Sequence, residues 1–186
     1  TQVAMLSLSE DQLIEHLQNS IEQAFAELQS QLSEGIQKVE ESRILELCMQ
    51  WLALESERES FTVIETEKEQ TITLAGIDFK IIIDRIDEVA GEAMIIDYKT
   101  GRASINDLLS DPLNAPQLAV YLFALEESNS PQVAGIGYGL LHSDNGVKLN
   151  VMVEHEDFLG EAMHKKFART RAFKVFAKLA EDEKSD

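Results

Sequence analysis

The sequence predicts a mixed α/β domain, of the α+β kind, with a central sheet and helices packed on it. Three observations lead to this fold class. Apolar residues recur at helical spacing over the first 58 residues, and short runs rich in β-branched residues follow from Phe61. One further helical segment interrupts those runs after Pro116. The predicted order of elements is α-α-β-β-β-β-α-β-β-α.

Two helices form a predicted lead-in over residues 9–58. Ser9 is an N-cap residue, and Gln12 three positions later completes a weak capping box. The helical spacing then continues until Gly35 interrupts it, as a glycine after the C-terminus of a helix would. A second apolar helical pattern follows and ends near Glu57.

Six strands and one helix are predicted over residues 60–154. In order, the strand sequences are FTVIET, EQTITLAG, IDFKIIIDRIDEV, AMIIDYK, QVAGIGYGLLH and VKLNVMVE. The predicted turns are Ala75-Gly76, Ala90-Gly91 and Ser143–Gly146. The helix opens at Pro116 and continues to about Glu127. A last helix is predicted over residues 156–180.

The chain length and composition predict a single domain over residues 1–186, since 44% hydrophobic and 27% charged residues are ordinary for a globular protein. No apolar stretch is long enough to span a bilayer, and the first 30 residues do not read as a signal peptide. The single cysteine, Cys48, excludes an internal disulfide, an iron–sulfur cluster held by several cysteines and a cysteine-rich zinc site. These features predict a cytoplasmic protein without a membrane partner.

The charge is unevenly distributed. The formal net charge is −18, which opposes nucleic-acid binding because the phosphate backbone favours Lys and Arg. Residues 1–69 hold 15 acids and 4 bases, and we interpret that part as solvated surface. Residues 164–180 hold six bases and no acid. For this basic helix two interpretations stay open, a solvated face and a strip that contacts a DNA backbone through Lys165, Lys166 and Arg169.

Two strands end near carboxylates. Asp84 lies at the end of one apolar run, and the next run carries Asp97, Tyr98 and Lys99. Because strand residues alternate between faces, Asp97 and Lys99 share a face and Tyr98 lies on the other. Mg²⁺ binds one or two carboxylates and completes its shell with water and phosphate. The pattern predicts a Mg²⁺ site with a lysine beside it, which suits phosphodiester hydrolysis. Taken singly, these residues could equally form ordinary ion pairs, Asp84 with Arg85 and Asp97 with Lys99.

The block from Ile81 to Tyr121 resembles the RecB-type nucleases of the PD-(D/E)XK superfamily. Their pattern is an Asp that closes one strand, D-x-K on the next strand, and Q-x-x-x-Y on a helix. The matching segments here are IIIDRID, IIDYKTG and PQLAVY. D-x-K alone is a weak signal, whereas the combination is specific. The resemblance implies a restriction-endonuclease-like sheet and a Mg²⁺- or Mn²⁺-dependent DNA exonuclease of repair or recombination.

The resemblance also implies a role for each matched residue. The metal would be held by Asp84, Asp97 and the backbone carbonyl of Tyr98. Lys99 would orient or activate the attacking water and stabilise developing charge. Gln117 and Tyr121, four residues apart on one helix face, would border the site and help to place the substrate backbone.

An upstream glutamate of the family is matched by Glu67. By simple alternation Glu67 shares a face with Glu65, Phe61 and Val63, so a solvated edge strand is the alternative. We interpret Arg85, Asp87 and Glu88 as residues that support the site or lie on the surface.

The family's metal-binding histidine near the start of the domain has no counterpart. His16 lies in the middle of a predicted helix, and the other three histidines follow the core. Either that histidine lies upstream of Thr1 or the site has lost it. We therefore expect a C-terminal piece of a larger bacterial protein, with a helicase-like region before it. A catalytically inactive nuclease-fold module that binds DNA or protein is the alternative.

Overall fold

The computed structural model describes residues 1–26, 33–74, 76–109, 116–126, 131–142, 146–160 and 168–170. Its α-helices are α1 Gln2–Leu6, α2 Glu10–Ala26, α3 Glu34–Ser56 and α4 Gln117–Glu126. Its strands are β1 Phe61–Leu74, β2 Ile77–Val89, β3 Glu92–Lys99, β4 Val133–His142, β5 Gly146–Val153 and β6 Ala168–Thr170. Short 3-10 helices cover Ile105–Leu109 and Glu156–Leu159. No described helix combines the length and apolarity needed to cross a membrane.

The described strands form one mixed sheet in the order β1-β2-β3-β4-β5-β6. β3 pairs with β4 in parallel, and β5 pairs with β6 in parallel, whereas the other neighbours are antiparallel. Parallel neighbours need a crossover connection, and α4 lies within the connection from β3 to β4. The prediction of a central mixed sheet flanked by helices is confirmed.

Each face of the sheet has its own apolar core. The first core joins β2, β3 and β4 to α4 and includes Ile95, which is fully buried. The second core joins β3, β4 and β5 to α3 and includes Ile96, which is also fully buried. The side chains of β3 therefore alternate between the cores as a strand requires. That alternation places Asp97 on the α4 side and packs Tyr98 against the α3 side.

The start of α2 confirms the predicted capping box. The Gln12 backbone N–H donates to Ser9 Oγ at 3.3 Å, and the Ser9 N–H donates to Gln12 Oε1 at 2.9 Å. The prediction for Gly35 is wrong, because this residue lies in the first turn of α3. Helix α1 was missed because five residues carry no periodic signal. Its Gln2 side chain donates to the carbonyls of Glu55 and Arg58.

The first two predicted strands are one long strand, β1, which pairs with β2 along its length. The register shifts after Val63, and Glu67 has a positive φ of 49° where the two predicted strands were divided. The hairpin turn at Ala90 and Gly91 is confirmed, since both residues have positive φ, 52° and 91°, as a two-residue turn requires. Ala75 and residues 143–145 of the other predicted turns lie outside the described residues.

The prediction of one continuous helix over residues 156–180 is wrong for its described part. Residues Glu156–Leu159 form a 3-10 helix, and Ala168–Thr170 form β6 on the edge of β5. A strand here satisfies backbone groups of β5 that a helix would leave open. Lys165 and Lys166 lie outside the described residues, and the backbone of Arg169 pairs with Met152.

Candidate active site

Asp84 lies where β2 separates from β3. The last registered pair of these strands is Arg85 with Ile96, and one step further would bring Asp84 opposite Asp97. In place of a backbone partner, the Tyr98 N–H donates to Asp84 Oδ2 at 2.8 Å. Because the N–H and C=O of a strand residue point to the same neighbour, the Tyr98 carbonyl also faces β2. Asp84 is thus tied to the segment that carries Asp97 and Lys99.

Asp97 is a buried carboxylate whose charge has few polar partners. Its side chain is 0% exposed, and the Lys99 Nζ lies 2.6 Å from Oδ2 as an ion pair. Apart from Lys99, neither oxygen has a partner within the described part of the chain. Burial raises the pKa of Asp97, Lys99 lowers it, and the charge of Asp84 raises it further, with a net upward shift. A cation beside these oxygens would offset the cost of burying the charge.

Lys99 begins a chain of hydrogen bonds that ends on α4. Its Nζ donates to Gln117 Oε1 at 2.7 Å, and Gln117 Nε2 donates to the Tyr121 hydroxyl at 2.5 Å. These two contacts fix the orientation of the Gln117 amide. The side chain of Lys99 is one-third exposed, so its ammonium can also reach a ligand. The structure therefore brings together Asp84, Asp97, Lys99, Gln117 and Tyr121.

The pKa of Tyr121 indicates that the surroundings of the site are negatively charged. Burial raises the pKa of its hydroxyl, the hydrogen bond from Gln117 lowers it, and the charges of Asp97, Asp84 and Glu67 raise it, for a net upward shift. Three carboxylates thus act on one buried hydroxyl. The site is electronegative, a property that attracts cations and repels a bare phosphate.

Glu67 lies across from Asp84, on the neighbouring strand. It falls between the registered pairs Thr66–Arg85 and Lys68–Ile83. Its φ is 49°, a conformation that residues other than glycine seldom adopt and that often marks a functional position. Its side chain is exposed.

The predicted face of Glu65 is wrong. Phe61 and Val63 pack in the second core, against α3. After the register shift, Glu65 pairs with Ile86, whose side chain belongs to the first core. A bulge of one residue reverses the faces of the residues that follow it. The alternation breaks again at Glu67, because Lys68 lies opposite Ile83, which also belongs to the first core.

The described residues fit a divalent cation held by two carboxylates. Among them, no three His, Cys, Asp or Glu side chains are gathered as a metal site. Asp84, Asp97 and the Tyr98 carbonyl would supply protein oxygens to such a cation and leave the rest of its shell to water and phosphate, as in Mg²⁺ sites. His16 is exposed on α2. His155 lies 2.9 Å from Glu92, far along the sheet from these carboxylates.

A cleft of about 620 Å³ opens beside these residues, and its walls include Lys99, Gln117 and Tyr121. Sequence reasoning missed three further polar lining residues, Arg102, Asp107 and Tyr138. Tyr138 is the register partner of Asp97 on β4. Burial, then the charges of Asp97 and Asp107 and the neighbouring Tyr121, raise the pKa of Tyr138 to about 12. The parallel register of β3 and β4 was the missing information, and no local pattern contains it.

Behind the site, on the α3 side, lies a buried charge network. Arg85 donates to Asp87 Oδ1 at 2.6 Å, to Glu55 Oε2 at 2.8 Å and to the Tyr98 hydroxyl at 2.8 Å. Arg58 donates to Glu55 Oε1 at 2.7 Å and to Asp87 Oδ2 at 2.8 Å. Two acids and two bases are therefore paired away from water. Double pairing of this kind is what makes buried charges tolerable.

This network corrects the earlier interpretation of its members. Arg85 and Asp87 are 7% and 0% exposed, so they are not surface residues, whereas Glu88 is exposed. The alternative pair of Asp84 with Arg85 does not occur. Burial alone would lower the pKa of Arg85, but the hydrogen bond and charge of Asp87, helped by Tyr98 and Glu55, raise it above its ordinary value.

Comparison with known proteins gives one informative match. The family model of the PD-(D/E)XK nuclease superfamily matches residues 4–184. A solved structure titled "Crystal structure of SSO0001" is 17% identical, over 97% of this chain and 80% of that chain, with a TM-score of 0.29. A TM-score that low does not establish a shared fold. No curated protein matches this chain significantly.

Proposed function

Because the chain belongs to the PD-(D/E)XK nuclease superfamily, we propose that it is a Mg²⁺- or Mn²⁺-dependent DNA nuclease of the RecB-like exonuclease type. Its place would be DNA repair or recombination in the cytoplasm, together with a helicase-like region or subunit. The superfamily match supports nuclease chemistry, and the segments IIIDRID, IIDYKTG and PQLAVY support the RecB-like type.

The residues divide the work between them. Asp84, Asp97 and the Tyr98 carbonyl would hold a cation that, when bound, polarises the scissile phosphate and strengthens water as a nucleophile. Lys99 offers its ammonium to that water or to the charge that builds on the phosphate oxygens. Gln117, whose amide is fixed by Lys99 and Tyr121, presents a preorganised polar group to the substrate backbone. Glu67, whose charge helps to raise the pKa of Tyr121, is a further acidic group near the site.

The observation that carries the proposal is the state of Asp97. A structural aspartate at 0% exposure normally has its oxygens hydrogen-bonded, because an unsatisfied buried charge is costly. Asp97 has only the Lys99 ion pair within the described residues. An incompletely compensated carboxylate beside a lysine and a second carboxylate is the arrangement that a metal-dependent hydrolase needs.

Positive groups near the cleft would receive the DNA. Lys99 and Arg102 line its wall, and a bound cation would add positive charge to an otherwise electronegative site. Lys165 and Lys166, which lie outside the described residues, stay candidate contacts to the DNA backbone. Arg169, in β6, is a third candidate. Phosphate contacts at these few positions would have to overcome the repulsion between DNA and a protein whose net charge is −18.

Calorimetry with Mn²⁺ tests the metal site. The wild type should bind Mn²⁺ weakly, because only two or three protein oxygens are offered, and Asp97→Ala should remove the binding. Asp78→Ala is the control, since it removes an exposed carboxylate from β2, the strand that carries Asp84. Equal binding by wild type and Asp97→Ala would refute the site.

A non-catalytic DNA- or protein-binding module is the second candidate. It is favoured by one observation, that no third His, Cys, Asp or Glu joins Asp84 and Asp97 within the described ranges. Labelled linear DNA separates the candidates. The nuclease shortens it only when Mn²⁺ is present and not in excess chelator, whereas the module binds it with or without the chelator and leaves its length unchanged.

A further inference from the structure

We propose that Tyr98 and Arg85 are positioning residues that hold the site from the opposite face of the sheet. The inference rests on the proposed function. In this arrangement the α3 side of the sheet carries a clamp on the Tyr98 ring. The clamp sets the spacing between Asp84 and Asp97, although neither of its side chains faces the substrate cleft.

The Tyr98 ring is held on three sides. Its hydroxyl accepts a hydrogen bond of 2.8 Å from Arg85 Nη1. The Trp51 ring packs edge-on against it, with centroids 5.3 Å apart and planes at 76°. Gly139 of β4 lies against the ring so closely that an added Cβ would be 2.7 Å from a ring carbon. A side chain fixed in this way leaves its own backbone little freedom.

The backbone of Tyr98 in turn fixes the catalytic groups. Asp97 and Lys99 are its two chain neighbours, and both side chains project from the opposite face. Its N–H donates to Asp84 Oδ2. One immobilised residue therefore determines the positions of both aspartates and the lysine.

Arg85 gives the clamp its rigidity. It follows Asp84 directly in β2, and its guanidinium is held by Asp87 of the same strand and by Glu55 of α3. Three hydrogen-bonded directions and burial leave the planar guanidinium one orientation. Because Glu55 and Trp51 both belong to α3, this helix positions a site on the far face of the sheet.

Two substitutions loosen the clamp without altering any group that faces the cleft. Tyr98→Phe keeps the ring and removes the hydroxyl that Arg85 holds. Gly139→Ala places a methyl group where the ring lies. Val153→Ala is the matched control, because Val153 is fully buried in the same core but lies on β5, away from Tyr98.

Three readouts separate positioning from stability in the full chain. The first is the hydrogen-exchange rate of the amide at position 98, which reports its bond to Asp84 and needs neither metal nor activity. The second is the Mn²⁺ dissociation constant from calorimetry, and the third is the melting temperature. We expect exchange to accelerate about tenfold in both clamp variants, from loss of a bond to a charged group. We expect Mn²⁺ affinity to fall about tenfold or more, as for other residues that orient metal ligands.

The control decides the interpretation. Val153→Ala should lower the melting temperature and leave both exchange at position 98 and Mn²⁺ affinity as in the wild type. Unchanged exchange and affinity in Tyr98→Phe and Gly139→Ala would overturn the clamp, and so would equal changes in Val153→Ala. If Gly139→Ala does not fold, Tyr98→Phe alone decides. Accelerated exchange in a protein whose wild type neither binds Mn²⁺ nor cleaves DNA would support the clamp and overturn the proposed function.

Discussion

Replacing Asp97 with asparagine should stabilise the protein while abolishing its metal binding. The carboxylate is fully buried and has no partner but Lys99 within the described residues, and incomplete pairing of a buried charge costs about 1–3 kcal/mol. The amide removes that charge and loses the ion pair with Lys99, which is one-third exposed and so partly screened by water, at a cost of about 1 kcal/mol. The net gain is about 1 kcal/mol, or a rise in melting temperature of about 2–4 °C for a chain of this size.

The gain should depend on pH in a defined direction. Burial, which Lys99 opposes and Asp84 reinforces, raises the pKa of Asp97, so the folded state binds this proton more tightly than the unfolded chain. The stability that the carboxyl contributes is therefore complete below the ordinary aspartate pKa of about 3.9 and is lost as pH rises through the folded-state pKa. Asp97→Asn should be the more stable protein at pH 8, and its advantage should shrink as the pH falls through that range.

Thermal unfolding and Mn²⁺ calorimetry on the same samples test both halves of this prediction. Metal-free protein is needed for the unfolding curves, because bound metal would stabilise the wild type alone. An Asp97→Asn protein that is less stable than the wild type by about 1 kcal/mol or more at pH 8 would refute the reasoning. It would mean that the ion pair with Lys99 is a structural contact and that Asp97 is not poised for a cation.

Three further predictions concern other parts of the chain. Lys99→Ala should lower metal-dependent DNA cleavage by about 10²-fold or more with little change in melting temperature, and an active variant would make Lys99 incidental. Arg58→Met should cost about 3–5 kcal/mol in urea unfolding, because Glu55 and Asp87 would share a single remaining cation, and a loss below about 1 kcal/mol would contradict a buried network. Charge reversal of Lys166 and Arg169 should flatten the salt dependence of DNA binding by about 0.7–0.9 in slope for each lost phosphate contact, and an unchanged slope would mark these bases as solvated surface.

Local patterns predicted the parts of the fold and site that local geometry decides. Asp97 and Lys99 share a face because strand side chains alternate, and Gln117 meets Tyr121 because four residues make about one helical turn. Both facts are independent of the rest of the chain. The roles of these residues stay predictions, as does that of Glu67.

What the sequence could not supply is information that joins distant segments. Glu55 and Arg85 meet across 30 positions, and Tyr138 lies beside Asp97 only because β4 is parallel to β3 in one register. The basic segment near Arg169 has helical spacing, yet its described part is a strand, because an open sheet edge outweighed a weak intrinsic preference. Tertiary context decided each of these outcomes.

The glycines of β4 have a consequence for how this protein tolerates mutation. Three glycines, Gly135, Gly137 and Gly139, follow one another on one face of β4. At each of them an added Cβ would come within 3 Å of a neighbouring atom. Valine and isoleucine are ordinarily favoured at strand positions. A saturation screen for loss of function should therefore map not only the carboxylates but also a row of residues that have no chemistry at all. Without knowledge of the fold, this row would be mistaken for an unrelated second site. The row is the surface against which Tyr98 and Phe158 pack.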